Sequence, residues 1–159
     1  MKQIRVNIAD YAVSAAPITL ATIGLGSCVA IVLHDARAGI GAMAHVLLPN
    51  EALSTQRDLP GKFASTAVPA MLTRMRELGA RDGIGARLVG GSSMFGSLLP
   101  AGAFPLGTRN IAAARAACLA HGIPVVAEDV GGSHGRSVYL DVKQGSLFVR
   151  SLAKGDVSL

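Results

Sequence analysis

Cys28 closes a glycine-broken segment that begins at Thr22 (TIGLGSC), and His45 stands in a second apolar run that begins at Ile40 (IGAMAHVLL). A thiol and an imidazole are the minimum equipment for nucleophilic acyl chemistry. The thiolate attacks a carbonyl carbon, and the imidazole carries a proton from nucleophile to leaving group. The two runs flank DARAG, Asp35 to Gly39, which predicts a β-hairpin turn. With Ala36 and Arg37 at the tip, Cys28 falls directly opposite His45. Directly opposed residues share a face, with Cβ atoms about 4.5–5.5 Å apart. A slip of one residue would send the two side chains to opposite faces.

The neighbours of Cys28 add to this chemistry. Gly24 and Gly26 make a bend whose backbone N–H groups, around Gly26 and Ser27, can support an oxyanion. Thr22, at the end of the preceding strand, is either an ordinary β-branched residue or a hydroxyl that orients the imidazole. Cys118, in the helical run AAARAACL, reads as core filler. His34 beside the turn, His121 at a helix end and His134 in a Gly-rich loop read as surface or capping residues. Asp129 and Arg136 flank Gly131 and Gly132 and predict a brace across that turn. The glycine pairs do not complete a phosphate loop or dinucleotide fingerprint. No Cys-x-x-Cys or His-x-x-x-His spacing is present, so neither metal nor cofactor is expected.

The elements that must position these groups follow from composition and pattern. The chain has 159 residues, half of them apolar, 16% charged and 19 of them glycine. That profile suits one strand-rich domain spanning residues 1–159, large enough to bury a core without disulfides. The net charge of +5 is spread over scattered arginines, and there is no Trp and only two Tyr and four Phe. Nucleic-acid binders concentrate such charge and interleave aromatics, so nucleic acid is not expected, and an acidic protein partner explains the balance equally well. The uncharged stretches are broken by Pro, Gly and Ser, which makes them poor membrane spans, and MKQIRVN lacks the apolar core of a signal peptide. A cytoplasmic location and unpaired cysteines are expected.

Alternation predicts strands over 4–14, 18–23, 28–34, 40–48, 86–89, 123–130, 136–142 and 146–151. Helical spacing predicts one helix over 62–78, kinked by Pro69 or starting later, and ended by Gly79. A second helix should be capped by Thr108 or Asn110 and end at His121 and Gly122. The span 50–61 reads as a surface loop and 90–107 as a long apolar one. The 50–61 loop and the 92–107 stretch of the apolar one are candidate lips of a shallow groove. The expected class is α+β, a layered α/β/β arrangement with mixed sheets and two main helices on one side.

At this point the residues resemble a known family. GLGSCVA from Gly24, Asp35, Gly39-Ile-Gly41, and His45 ahead of Leu48-Pro49 are similar to the chemoreceptor glutamine deamidases, the CheD family. So are Lys62-Phe-Ala, Val68-Pro69, Gly90-Gly91 with Met94-Phe95, Gly107-Thr-Arg-Asn110, and Ile123-Pro124 through Glu128-Asp129-Val-Gly-Gly132 to Gly135-Arg136. The resemblance runs in order from Arg5 to Ser151. Asn7, Val46 and Ser92-Ser93 depart from it without removing a catalytic group.

The resemblance implies a chemotaxis enzyme that converts glutamines of methyl-accepting receptors to glutamate, and in some members hydrolyses receptor methyl esters. It implies Cys28 as nucleophile, His45 as base and acid, and Thr22 as the third site residue. It also implies binding to a CheC-type phosphatase. Two other functions remain open at this level. One is a non-catalytic adaptor that acts through that phosphatase, and the other is a cysteine hydrolase with a different acyl substrate.

Overall fold

The computed structural model describes residues 2–93 and 103–159. Its ten strands, among the described residues, form two five-stranded sheets. The first sheet has the order β1 (Gln3–Arg5), β3 (Thr19–Leu25), β8 (Arg136–Asp141), β9 (Leu147–Arg150) and β10 (Val157–Ser158). The second has the order β2 (Tyr11–Ala15), β5 (Ile40–Val46), β4 (Val29–Asp35), β6 (Ile84–Gly90) and β7 (Val125–Val130). Helices α1 (Ala64–Glu77) and α2 (Leu106–Ala120) lie against the outer face of the second sheet. Each sheet is mixed, through parallel β1–β3 in one and parallel β6–β7 in the other. The α+β class and the layered arrangement with both helices on one side are as the sequence predicts.

The central strand β4 shows why three layers form. Val29, Ile31 and Leu33 pack against the helices, while Ala30 and Val32 pack between the sheets. Its partner β5 does the same, with Ile40, Ala42, Ala44 and Val46 toward the helices and Met43 toward the other sheet. Strict alternation with both sets apolar is what a strand buried on both faces requires. Two dry cores result, and the second sheet is the wall between them.

Several expectations need correction. The first strand does not run over 4–14: β1 and β2 belong to different sheets. Between them the chain turns, with Asp10 N–H donating to the Asn7 carbonyl and Ala9 at a φ of 66°. Ile8, which strict alternation over 4–14 would put on one face with Ile4 and Val6, is 58% exposed on that turn. Gly24 does not end β3. It sits at a bulge with a φ of 74°, after which Leu25 returns to the core. The helix over 62–78 neither waits for Pro69 nor stops at it, since α1 begins at Ala64 with Pro69 inside, and Gly79 ends it at a φ of 115°. Neither Thr108 nor Asn110 caps α2, whose N-cap position is Pro105. The expectations for Met94 and Phe95 fall outside the described residues, as does half of the 90–107 loop.

Candidate active site

The hairpin register differs from the expected one by two positions. Asp35 pairs with Ile40, so the connection is the four residues 36–39, and His45 faces Ala30 rather than Cys28. The cause is Asp35 itself. Its carboxylate accepts from the N–H groups of Arg37 and Ala38 at 3.1 Å each and from Arg81 at 2.9 Å, while its carbonyl accepts from Gly39. An Asx-type capture of two successive amides stabilises the longer turn. A shift of two keeps the face, so Cys28 and His45 both point between the sheets. They are diagonal neighbours, for which Cα positions are typically about 7–8 Å apart. The direct opposition expected from the sequence is therefore wrong, and the shared face is right.

Thr22 reaches the same layer from the other sheet. Its Oγ1 lies 2.7 Å from His45 Nδ1 and 2.6 Å from the Val6 carbonyl oxygen. A hydroxyl has one proton and a carbonyl can only accept, so Thr22 donates to Val6 and accepts from Nδ1–H. The imidazole is thereby held as the Nδ1–H tautomer, and Nε2 presents a bare lone pair. Nε2 is buried and has no hydrogen-bond partner. His45 is 1% exposed, and this burial lowers its pKa to about 4. Burial also raises the Cys28 thiol, with its own backbone N–H pulling the other way. Both groups rest neutral near pH 7. The resting pair is a thiol and an uncharged base, and no hydrogen bond joins them.

The bend before Cys28 is held on three successive carbonyls. Gly26 accepts from Ser92 N–H at 2.8 Å, Ser27 from Asn110 Nδ2 at 2.9 Å, and Cys28 from Gly91 N–H at 2.8 Å. The 90–92 segment is in turn braced by Arg136. Its Nη1 donates to Ser92 Oγ at 3.0 Å and to the Gly131 carbonyl at 2.8 Å, and its Nη2 meets Asp129 at 3.3 Å. Ser92 Oγ itself donates to the His134 carbonyl at 2.5 Å. The predicted Asp129–Arg136 brace exists, and it extends through Ser92 to the candidate site. Ser92 looked like a mere departure from a pattern, and Asn110 like a cap. Nothing in their local sequence shows that both reach back to the Cys28 bend.

A groove of about 440 Å³ lined by Arg5, Val6, Asn7, Ile8, Ile23 and His45 opens beside the imidazole. Ile23 is shared with an adjoining groove of about 510 Å³ that includes Gly24, His134, Arg150 and Leu152. The other cysteine and His34 are engaged elsewhere. Cys118 is fully buried on the helix side and unpaired. His34 Nε2 contacts the Val142 carbonyl at 2.8 Å. Among the described residues no set of three or more His, Cys, Asp or Glu side chains is arranged to hold a metal, and no helix is long and apolar enough to cross a membrane.

Comparison with known proteins places the chain in a family. Residues 47–151 match the family model described as CheD chemotactic sensory transduction. The chain is 40% identical, over 98% of its length and 96% of the relative's, to the chemoreceptor glutamine deamidase CheD of Thermotoga maritima. It is 37% identical to the probable chemoreceptor glutamine deamidase CheD of Clostridium kluyveri and 36% identical to that of Clostridium botulinum, again over 98% of this chain and 96% of theirs. The chain belongs to the CheD family.

Proposed function

We propose that this protein deamidates glutamine side chains of chemoreceptors, with Cys28 as nucleophile and His45 as base and acid. The observation that carries the reading is a buried imidazole with Nδ1 bound by Thr22 and Nε2 bare, in the layer that also contains Cys28. A structural histidine would have both nitrogens satisfied. The names of the relatives supply the substrate.

The steps follow from that arrangement. Nε2 takes the Cys28 proton as sulfur attacks the glutamine side-chain carbonyl carbon. The carbonyl oxygen becomes an oxyanion that accepts from backbone N–H groups of the Ser27–Cys28 bend. The C–N bond then breaks, and the imidazolium gives its proton to the departing ammonia. Water, deprotonated by Nε2, attacks the thioester. Sulfur leaves, recovers a proton, and the side chain is a glutamate. The same attack on a glutamate methyl ester would expel methanol. The neutral resting pair suits a protein substrate, because the thiol ionises only as the carbonyl approaches.

The test is mass spectrometry of receptor peptides after incubation, with ammonia measured in parallel. A mass increase matching amide-to-acid conversion at specific glutamines is expected. Unchanged glutamines together with retained binding to a CheC-type phosphatase would favour the adaptor function instead.

A further inference from the structure

We propose that Asn110 is a positioning residue for this reaction: its amide orients the Cys28 peptide so that the Cys28 N–H faces the developing oxyanion. The inference rests on the deamidase reading above and assigns a part to a residue outside the Cys28, His45 and Thr22 set.

The β4–β5 ladder ends at the pair Val29 and Val46. One step beyond it, where strand pairing would continue, the Asn110 side chain takes over. Its Nδ2 donates to the Ser27 carbonyl at 2.9 Å and to the Leu47 carbonyl at 3.1 Å. One amide thus spans the two chain segments, immediately before Cys28 and two residues after His45. Both of its hydrogens are used, so the separation of the two segments is fixed from the helix side.

The second consequence is directional. In a planar trans peptide the N–H points opposite to the C=O of the preceding residue. Asn110 lies on α2 and draws the Ser27 carbonyl toward that helix. The Cys28 N–H must then point away from α2, toward the side where the Cys28 side chain lies between the sheets. Its influence on its own sulfur agrees with that direction. The Gly26 carbonyl, held by Ser92, turns the Ser27 N–H by the same logic.

Two further observations set Asn110 apart from a structural residue. It is completely buried, yet its Oδ1 has no partner. An unpaired buried acceptor destabilises, so the amide is retained here for what Nδ2 does. The helix also comes unusually close to deliver it. Gly107, one turn earlier, lies where any Cβ would collide with the backbone oxygens of Gly91 and Ser92. A bulkier residue there would lift α2 and withdraw the amide.

The experiment compares Asn110→Leu and Asn110→Asp with the unaltered chain on a receptor peptide, in samples shown to be folded by circular dichroism. Both variants keep the shape of the side chain and lose the paired donors. The expected result is a kcat lower by roughly ten- to hundredfold, short of the roughly hundred- to thousandfold cost of losing an oxyanion donor outright because the Cys28 N–H is misdirected rather than removed, with KM changed by less than about twofold. The rate of Cys28 alkylation by iodoacetamide should stay close to that of the unaltered chain, because alkylation forms no oxyanion. A folded variant with full kcat would overturn the proposal. So would a kcat loss matched by an equal loss of alkylation, since that marks general damage to the thiol. An unaltered chain that leaves receptor glutamines intact would instead bring down the deamidase reading, and this inference with it.

Discussion

Thr22 and His45 belong to different sheets and meet at 2.7 Å between Oγ1 and Nδ1, so the bond that fixes the imidazole tautomer is also a bond between layers. Thr22→Val keeps shape and burial but removes the acceptor of Nδ1–H. It also leaves the Val6 carbonyl without its donor. A kcat loss of about tenfold or more is expected, with stability lower by about 1–2 kcal/mol, while Thr22→Ser should retain most of both. Ammonia-release kinetics and urea denaturation read the two effects separately. Equal activity in the valine variant would remove Thr22 from the machinery.

Cys28→Ala should abolish deamidation and leave the fold intact, because the side chain is small and sits at the margin of its core, 8% exposed. Alkylation should mark Cys28 before the fully buried Cys118, though slowly at neutral pH, since burial raises both thiols, Cys118 to about 11. Peptide mapping after iodoacetamide treatment checks the order. Activity retained in the alanine variant would refute the nucleophile assignment.

The depressed pKa of His45 has a signed effect on stability. Its folded value is about 4 against an ordinary 6.5, so between those values the unfolded chain binds the extra proton. The contribution, on the order of 3 kcal/mol, is fully present above pH 6.5 and is lost as pH falls toward 4. Denaturation midpoints measured across that window should fall with pH in the unaltered chain and less steeply in His45→Gln. Activity should show no acid limb near 6.5, where an ordinary histidine base would be lost.

Ile23, 38% exposed, is common to both grooves, and Ile8 lines the one next to His45. If receptor helices lie along these grooves, Ile23→Asp should raise KM several-fold and leave kcat on a small amide substrate unchanged. An unaltered KM on a receptor fragment would place the docking track elsewhere.

Arg136 is 4% exposed and holds Gly131, Ser92 and Asp129 together. Arg136→Ala removes the donor to the buried Ser92 Oγ and to the half-buried Gly131 carbonyl and Asp129 carboxylate, and a loss of about 1–3 kcal/mol is expected from calorimetry or denaturant unfolding. Asp129→Asn, which leaves the bonds to Gly131 and Ser92 in place, should cost far less.

What could be read from the sequence was whatever depends on parity. The face shared by Cys28 and His45 survived a turn two residues longer than expected, because a shift of two preserves alternation. The strand runs of β4 to β9 were visible for the same reason. What could not be read depends on contacts between distant segments. The capture of Arg81 by Asp35, which helps set the turn, joins positions 46 residues apart. Asn110 looked like a cap because Asn favours caps, and only the closeness of α2 to the Gly91 and Ser92 backbone shows its other use. The split of the first strand turned on Ala9, a residue with no intrinsic preference for a positive φ.

The bond between layers has a consequence for synthesis. β3, which brings Thr22, is flanked in its sheet by β1 and by β8, near the far end of the chain. While a ribosome is still making the second half, the Cys28 hairpin can form, but the sheet that fixes its imidazole lacks a neighbour. A nascent or truncated chain therefore contains Cys28 and His45 without the Thr22 bond that fixes the imidazole tautomer. The bond between Thr22 and His45 is secured only when β8 completes that sheet.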